Sequence, residues 1–275
     1  MGYRTQDLIF TLYGDYILAR GGEAWTGAVI ELMSVTGTSS QAVRSTLSRM
    51  TRKSWLRSRR VGRHSFHAAT TNTKTLLTEG IQRIYHPRHD PWDGRWYILT
   101  FSIPESRRHL RDGLRRRLRW LGFGQLGPAM WVAPRELRRE VARAAEELGV
   151  SESLELFVGD YLGPHDGRAL VERCWDVNQL NQAYRDFIER YRPAWQKLTA
   201  SNDSSIGARN AFVQRFLLVH GYRSFPYVDP NLPDELLPEN WLGNDAFRLF
   251  ESYASLLSAK ANDYVDGVLA ESPEG

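Results

Sequence analysis

The chain has 275 residues, 42% hydrophobic, 25% charged and 12% aromatic, with a formal net charge of +4, the make-up of a globular protein able to bury real cores in one large domain or several small ones. No run approaches about 18 uninterrupted apolar residues, which argues against a membrane span, and the first residues lack the basic-then-apolar order of a secretory signal. The single cysteine, Cys174, leaves out an intrachain disulfide or a thiolate-rich zinc site. A cytoplasmic protein is expected, with an inert buried thiol among Val171, Trp175 and Val177.

The charge is uneven along the chain. Residues 1–90 hold 13 Lys or Arg against 6 Asp or Glu, residues 91–160 hold 12 against 10, and residues 161–275 hold 11 against 16, giving +7, +2 and −5. A basic first third and an acidic last third suit a chain whose N-terminal part alone meets a polyanion. All but four of the 36 basic residues are arginine. Their abundance is therefore chain-wide, and only their placement is informative.

Gln6 to Arg20 spaces Leu8, Ile9, Leu12, Tyr16 and Ala19 as a first helix, which Gly21-Gly22 ends. A second helix covers Thr26 to Met33, with Ala28, Val29, Leu32 and Met33 on one face, and Thr36-Gly37 makes a tight turn. Thr38-Ser39-Ser40 then supplies capping residues for a third helix through Met50. Val43, Leu47 and Met50 fall at i, i+4 and i+7 and face inward. Ser39, Ser40, Gln41, Arg44, Ser45, Ser48, Arg49 and Arg52 are left outward, the polar side chains that an inserted helix offers to bases and phosphates. From Ser54 to Thr70 two strand-like runs meet at Gly62 as a hairpin. Arg57, Arg59, Arg60, Arg63 and His64 gather there, within reach of phosphates or a minor groove. Thr73 to His86, with Leu76, Leu77, Gly80, Ile81 and Ile84, closes the domain, and Pro87 and Pro91 bracket a linker.

The pattern then changes. Arg95 to Pro104 is a β-rich run stopped by proline. Glu105 to Gly122 is a helix with Leu110, Leu114, Leu118 and Leu121 as its core stripe. Arg107, Arg108, Arg111, Arg115, Arg116, Arg117 and Arg119 lie on its other face, which could meet nucleic acid, a ligand phosphate or protein. Strands at Phe123–Leu126 and Ala129–Ala133, a helix at Arg135–Leu148 and a strand at Leu154–Val158 complete the order β-α-β-β-α-β, a ferredoxin-like sandwich.

Asp166 to Leu198 is expected as helix broken at Pro193, followed by a polar loop over Thr199–Ser205 and a helix over Ile206–Tyr222 that repeats Ala211, Phe212, Arg215, Phe216 and Val219. Ser224 to Gly243 carries four of the twelve prolines together with Leu, Tyr and Trp, so a packed connection rather than a loose one is expected. A helix from Asp245 to Leu269 and a frayed Ser272-Pro273-Glu274-Gly275 end the chain. The fold class is α+β and multidomain: 1–90 a winged helix-turn-helix, 91–163 the ferredoxin-like domain, 164–275 a helical domain.

Three stretches carry a family likeness: Phe10-Thr11-Leu12-Tyr13-Gly14-Asp15-Tyr16, Trp92-Asp93-Gly94-Arg95-Trp96, and Asp229-Pro230-Asn231-Leu232-Pro233 through Leu236-Leu237-Pro238 to Trp241 and Gly243. Together they resemble the PaaX-type transcriptional regulators of phenylacetate and related aromatic degradation, over nearly the whole chain. The resemblance implies a winged-helix domain, a Cas2-like middle domain, a helical C-terminal domain, a homodimer on double-stranded operator DNA, and release by an aryl-CoA thioester such as phenylacetyl-CoA. Leu242 departs from the family pattern, which has proline before the glycine. Cas2-like nucleases carry a metal-binding aspartate near the end of their first strand, whereas Ser102-Ile103-Pro104 stands here.

The competing readings are a Cas2-like metal nuclease or other enzyme, and a DNA binder without sequence preference. No G-x-S-x-G, P-loop or H-E-x-x-H is present. His86-Pro87-Arg88-His89-Asp90 has metal-binding residue types but no helix to fix their spacing, so no catalytic residue, metal or cofactor is assigned. Trp175, Tyr184, Trp195, Phe212, Phe216, Tyr222, Tyr227 and Trp241 could line an apolar effector pocket, and at helical spacing most are expected as core.

Overall fold

A computed structural model of the chain describes residues 3–86, 91–163, 166–200 and 206–272. Most of the His86–Asp90 cluster, most of the Thr199–Ser205 loop and the last three residues lie outside them. Chain contacts divide the protein into two units, one of Met1–His86, Phe187–Arg223 and Asp245–Gly275, the other of Pro87–Asp186 and Ser224–Asn244. Both mix helix and sheet.

In the first unit α1 (Thr5–Leu12) runs on through a π turn over Tyr13–Ile17 and a 3-10 turn over Leu18–Arg20, and Gly21 at φ +92° stops it. A π turn adds a residue to the helical cycle and rotates all that follows. The stripe expected at Leu8, Ile9, Leu12, Tyr16 and Ala19 therefore shifts at its end, where Ile17 is buried and Ala19 exposed. Then come β1 (Glu23–Trp25), α2 (Thr26–Ser34), α3 (Ser40–Arg52), β2 (Leu56–Val61), β3 (His64–Ala69) and α4 (Thr71–Tyr85). The strands form an antiparallel sheet in the order β1-β3-β2. β1 was not foreseen, because three residues with one inward apolar position carry no alternation to detect. In α4 the inward line runs through Thr73, Gly80 and Ile84, and Leu76, expected inside, stands one step out of phase and is half exposed.

The remainder of this unit is the later part of α8 (Val177–Ala200), α9 (Ala208–Tyr222) and α11 (Gly243–Ala270). The break expected at Pro193 does not occur. Glu189, whose carbonyl a residue at 193 would normally bond, is exposed, as is Pro193 itself, so water can take the freed oxygen. The interruption falls instead at the extended Trp175, after α7 (Gly167–Cys174). Asp166 and Asp176 each accept a backbone N–H three residues on, from Ala169 at 2.9 Å and Gln179 at 3.0 Å, and so start the two helices.

α9 is buried nearly all round, through Phe212, Phe216, Leu218, Val219 and Tyr222. Its polar positions pair with α1 and its π extension. Arg223 lies 3.8 Å from Asp7, His220 Nδ1 is 2.8 Å from Thr11 Oγ1, and Arg215 forms an ion pair with Asp15. Asp7, Thr11 and Asp15 recur every four residues and so share one helix face. Beyond the π turn, Arg20 donates to Asp266 at 2.6 Å and Asn262 at 2.9 Å on α11.

Burial, with the nearby Arg223 charge, pushes His220 down from 6.5 to about 4. Its folded pKa lies below its unfolded one, so this contribution to stability is complete above about pH 6.5 and is lost as pH falls toward about 4. Wild-type protein is expected to lose melting temperature over that window more steeply than His220→Gln. Parallel pH profiles of the two would refute this.

The second unit holds β4 (Trp96–Phe101), α5 (Arg108–Leu121), β5 (Gly124–Gln125), β6 (Met130–Ala133), α6 (Arg138–Leu148) and β7 (Leu154–Gly159), with an antiparallel sheet ordered β5-β6-β4-β7. Leu99, Phe101 and Trp131 on one face pack with Leu114, Leu118, Val141 and Ala145 from the helices. On the other face, Trp96 and Val132 pack with Leu170 and Val171 of α7 and with Leu232, Leu236 and Leu237. Thus the proline-rich connection is packed. It includes α10 (Phe225–Val228), where Tyr184 stacks on Phe225 at 4.2 Å and donates to Asp229 at 2.6 Å. The Leu242 N–H donates to the buried Asn181 Oδ1 at 2.7 Å, and Asn181 Nδ2 donates to the Asn240 carbonyl at 3.0 Å. A proline at 242 would have no N–H to give, so leucine there supports this bond. Cys174 is half-buried and its thiol is pushed up to about 11 by burial, which keeps it protonated and unreactive.

Candidate nucleic-acid interface

Met33, Thr36 and Gly37 build the turn between α2 and α3. Thr36 Oγ1 bonds the Met33 carbonyl at 2.7 Å and Gly37 adopts φ +74°, a left-handed conformation that a Cβ disfavours. Ser39 caps α3, its hydroxyl accepting the Ala42 N–H at 3.2 Å. Val43, Thr46, Leu47 and Met50 are buried against the first unit's core, at 2% exposure or less. Ser39, Ser40, Gln41, Arg44, Ser45, Ser48, Arg49 and Arg52 are all exposed. Two of these hydroxyls serve the helix first: Ser39 as cap, and Ser45 by donating to the Ala42 carbonyl at 3.1 Å. Arg49 reaches back to Thr46 Oγ1 at 3.1 Å, which orients its guanidinium along the helix and leaves other donors for a partner.

The hairpin has the two-residue tip expected at Gly62. Val61 pairs with His64, and Gly62 takes φ +56° as first central residue of the turn, with Arg63 second. Strand alternation divides the arginines that the sequence groups together. Arg57 pairs across from Ala68 and Arg59 from Phe66, on the sheet face that also holds Glu23 and Trp25 of β1. Arg60 points the other way, with Ser58 and the buried Leu56. Arg63 stands at the tip, its Nε 3.3 Å from His64 Nε2, and the His64 ring meets the edge of Trp25 at 6.1 Å.

Ion pairing separates these cations further. Among the described residues, no acidic side chain pairs with Arg44, Arg49, Arg52, Arg57, Arg60 or Arg63, whereas Glu23 holds Arg59. Glu23 was missed in the sequence because 36 residues separate it from Arg59. Only the β1–β3–β2 register makes them neighbours.

The basic helix of the second unit is different. Arg107 donates to the Gly149 carbonyl at 2.9 Å and Arg115 to that of Pro128 at 2.8 Å, while Arg111 pairs with Glu105 and Arg117 with Glu147, both at 2.7 Å. Arg108 lies between Glu105 and Asp112, and Arg119 covers the face of Trp131. Most of this charge is spent inside its own unit. Among the described residues no group of three or more His, Cys, Asp or Glu is placed to hold a metal, and no helix is long and apolar enough to cross a membrane. The aromatic side chains considered for an effector pocket fall in both units: in the second, Trp175 and Trp241 pack against one cluster, Tyr184 meets Phe225 and Trp241, and Tyr227 lies on Trp120; in the first, Phe212 stacks on Phe216 and Tyr222 on Phe250.

Comparison with known proteins places this geometry. Residues 4–72 match the family described as PaaX-like protein, residues 89–171 the PaaX protein central Cas2-like domain, and residues 175–267 the PaaX-like protein C-terminal domain. The chain is 34% identical over 245 residues to the transcriptional repressor PaaX of Escherichia coli strain K12, covering 88% of this chain and 77% of that one. It belongs to the PaaX family. A solved structure of an uncharacterized protein from Mycobacterium tuberculosis matches the fold with a TM-score of 0.60 at 19% identity, over 94% of this chain and 96% of that one. In this PaaX-family chain the first matched segment contains α3, the β2–β3 hairpin and the Glu23–Arg59 pair, and the Cas2-like segment contains the β5-β6-β4-β7 sheet.

Proposed function

We propose that this chain is a transcriptional repressor that binds double-stranded operator DNA as a homodimer. In this reading residues 1–90 form a winged helix-turn-helix, with α3 as the recognition helix and β2–β3 as the wing. Residues 91–163 form a ferredoxin-like, Cas2-like domain and residues 164–275 a helical domain, in a cytoplasmic regulator rather than an enzyme. The observation that carries the reading is the outward face of α3, where Gln41, Arg44, Ser45, Ser48, Arg49 and Arg52 stand exposed with no acidic partner among the described residues. Arg and Gln can make bidentate bonds to guanine and adenine edges, and the serines suit bases or phosphates. Ser39 and Ser40, at the positive end of the helix, face a phosphate favourably. Arg57, Arg60, Arg63 and His64 of the wing supply phosphate or minor-groove contacts. The similarity to the Escherichia coli transcriptional repressor PaaX supports repression.

The family resemblance extends the reading to an aromatic catabolic operon, with release by an aryl-CoA thioester such as phenylacetyl-CoA. Release requires that the thioester bind the DNA-free conformation better than the bound one. Footprinting on the DNA flanking the protein's own gene, repeated with a panel of aryl-CoA thioesters, tests all of it. Two protected half-sites in inverted repeat, about one helical turn apart, are expected, with protection lost on adding one thioester. Equal affinity for random duplex would favour binding without sequence preference, and protection indifferent to every thioester would remove the effector.

A further inference from the structure

Arg59 looks in the sequence like one more wing cation, but its surroundings set it apart. Its Nε lies 2.9 and 3.1 Å from the two carboxylate oxygens of Glu23, an Nη2 contact closes the fork, and its guanidinium rests 4.4 Å over the Phe66 ring. Glu23 sits opposite Ala68, whose small side chain lets the carboxylate reach diagonally across β3 to Arg59. Arg57 lies in the same cross-strand row as Glu23 and is left without an acidic partner among the described residues.

We propose that Glu23 is a positioning residue that withdraws Arg59 from the DNA-contacting set and uses it to fasten the wing to β1, leaving Arg57, Arg60 and Arg63 to meet phosphate. The pair is partly exposed, with 45% of the Arg59 side chain and 30% of the Glu23 side chain open to solvent, so its Coulombic attraction alone contributes little. Bidentate geometry and the ring beneath it hold the guanidinium in one orientation. Charge counting does the rest. Counterions leave DNA in proportion to the net positive charge delivered to phosphate. Arg59 and Glu23 together deliver none, and a phosphate that took Arg59 would leave an unpaired carboxylate beside the duplex. Glu23 thereby also restrains binding to DNA of any sequence.

The inference rests on the wing reading above, and the test keeps the two apart. The affinity of full-length protein for a random-sequence duplex is measured by fluorescence anisotropy across a salt series. Arg57→Ala and Arg60→Ala are each expected to reduce the magnitude of the log–log salt slope by about 0.9, as for one lost phosphate contact. Glu23→Gln is expected to increase it by about 0.9 as Arg59 is freed, and Glu23→Gln with Arg59→Ala, which removes both charges of the pair, to restore the wild-type value. The double variant leaves no unpaired carboxylate, so it reads the loss of Arg59 without adding a negative charge beside the duplex. A double-variant slope reduced from the wild-type value as much as by Arg57→Ala, or a slope unmoved by Glu23→Gln while Arg57→Ala lowers it, overturns the clamp. Slopes indifferent to Arg57 and Arg60 as well as to the arginines of α3 overturn the DNA-binding reading itself.

Discussion

Asp15→Ala is expected to destabilise the first unit by about 3–5 kcal/mol, the cost of leaving a buried charge without its partner. Arg215 and Asp15 keep only 10% and 6% of their side-chain surface. Asp15 also accepts the Tyr85 hydroxyl at 2.6 Å, and Arg215 donates to that hydroxyl at 3.2 Å and to the Ala254 carbonyl at 3.3 Å. Burial, followed by the Asp15 charge, raises the Tyr85 hydroxyl above its usual range, so it remains a donor at any working pH. Removing the carboxylate leaves the guanidinium buried beside the Tyr16 ring, with neutral groups such as the Tyr85 hydroxyl and the Ala254 carbonyl in place of a counter-charge. Asp15→Ala with Arg215→Met is expected to recover much of the loss, because an apolar pair leaves nothing unsatisfied. Urea denaturation followed by far-UV circular dichroism measures both. A loss below about 1 kcal/mol for the single variant would show that water reaches the pair and solvates it.

Arg44→Ala and Arg49→Ala are each expected to lose about 1–3 kcal/mol of preference for operator over random DNA, relaxing selectivity at one half-site position. Both side chains leave the outer face of α3, opposite Val43, Leu47 and Met50, so neither truncation opens a cavity. Melting temperatures should stay near wild type while the operator-to-random ratio of dissociation constants falls. Arg57→Ala in the wing should instead weaken both affinities together, since phosphate contacts carry no sequence information. If Arg44→Ala and Arg49→Ala both bind operator and random duplex with an unchanged ratio, α3 is not the reading helix.

Local signals located α2 and α3, which write one buried face at a period of 3.6, and the β2–β3 hairpin and the β-α-β-β-α-β order of the second unit, whose strand-like runs are broken by glycine and proline. The inward line of Val43, Leu47 and Met50 and the turn at Gly62 belong to this class. So does the outward exposure of the α3 arginines, which follows from the same helical phase. The π turn at Tyr13–Ile17, the three-residue β1 and the continuation of α8 through Pro193 were not legible. Each is settled by what lies beside it in space. Arg215 marks the limit most clearly: its place in the apolar stripe of α9 was visible, but Asp15, 200 residues away, was not.

The arginine-rich helix and hairpin were therefore determined by the sequence, because local spacing dictates which side of a helix or strand a residue occupies. Which of those arginines keep their charge for a partner was decided only by the tertiary structure. That depends on carboxylates brought close by strand register and helix packing: Glu23 for Arg59 in the wing, and in the second unit Glu147 for Arg117. A cation's effect outside the protein is its charge less what its neighbours neutralise, and neighbours are a property of the fold.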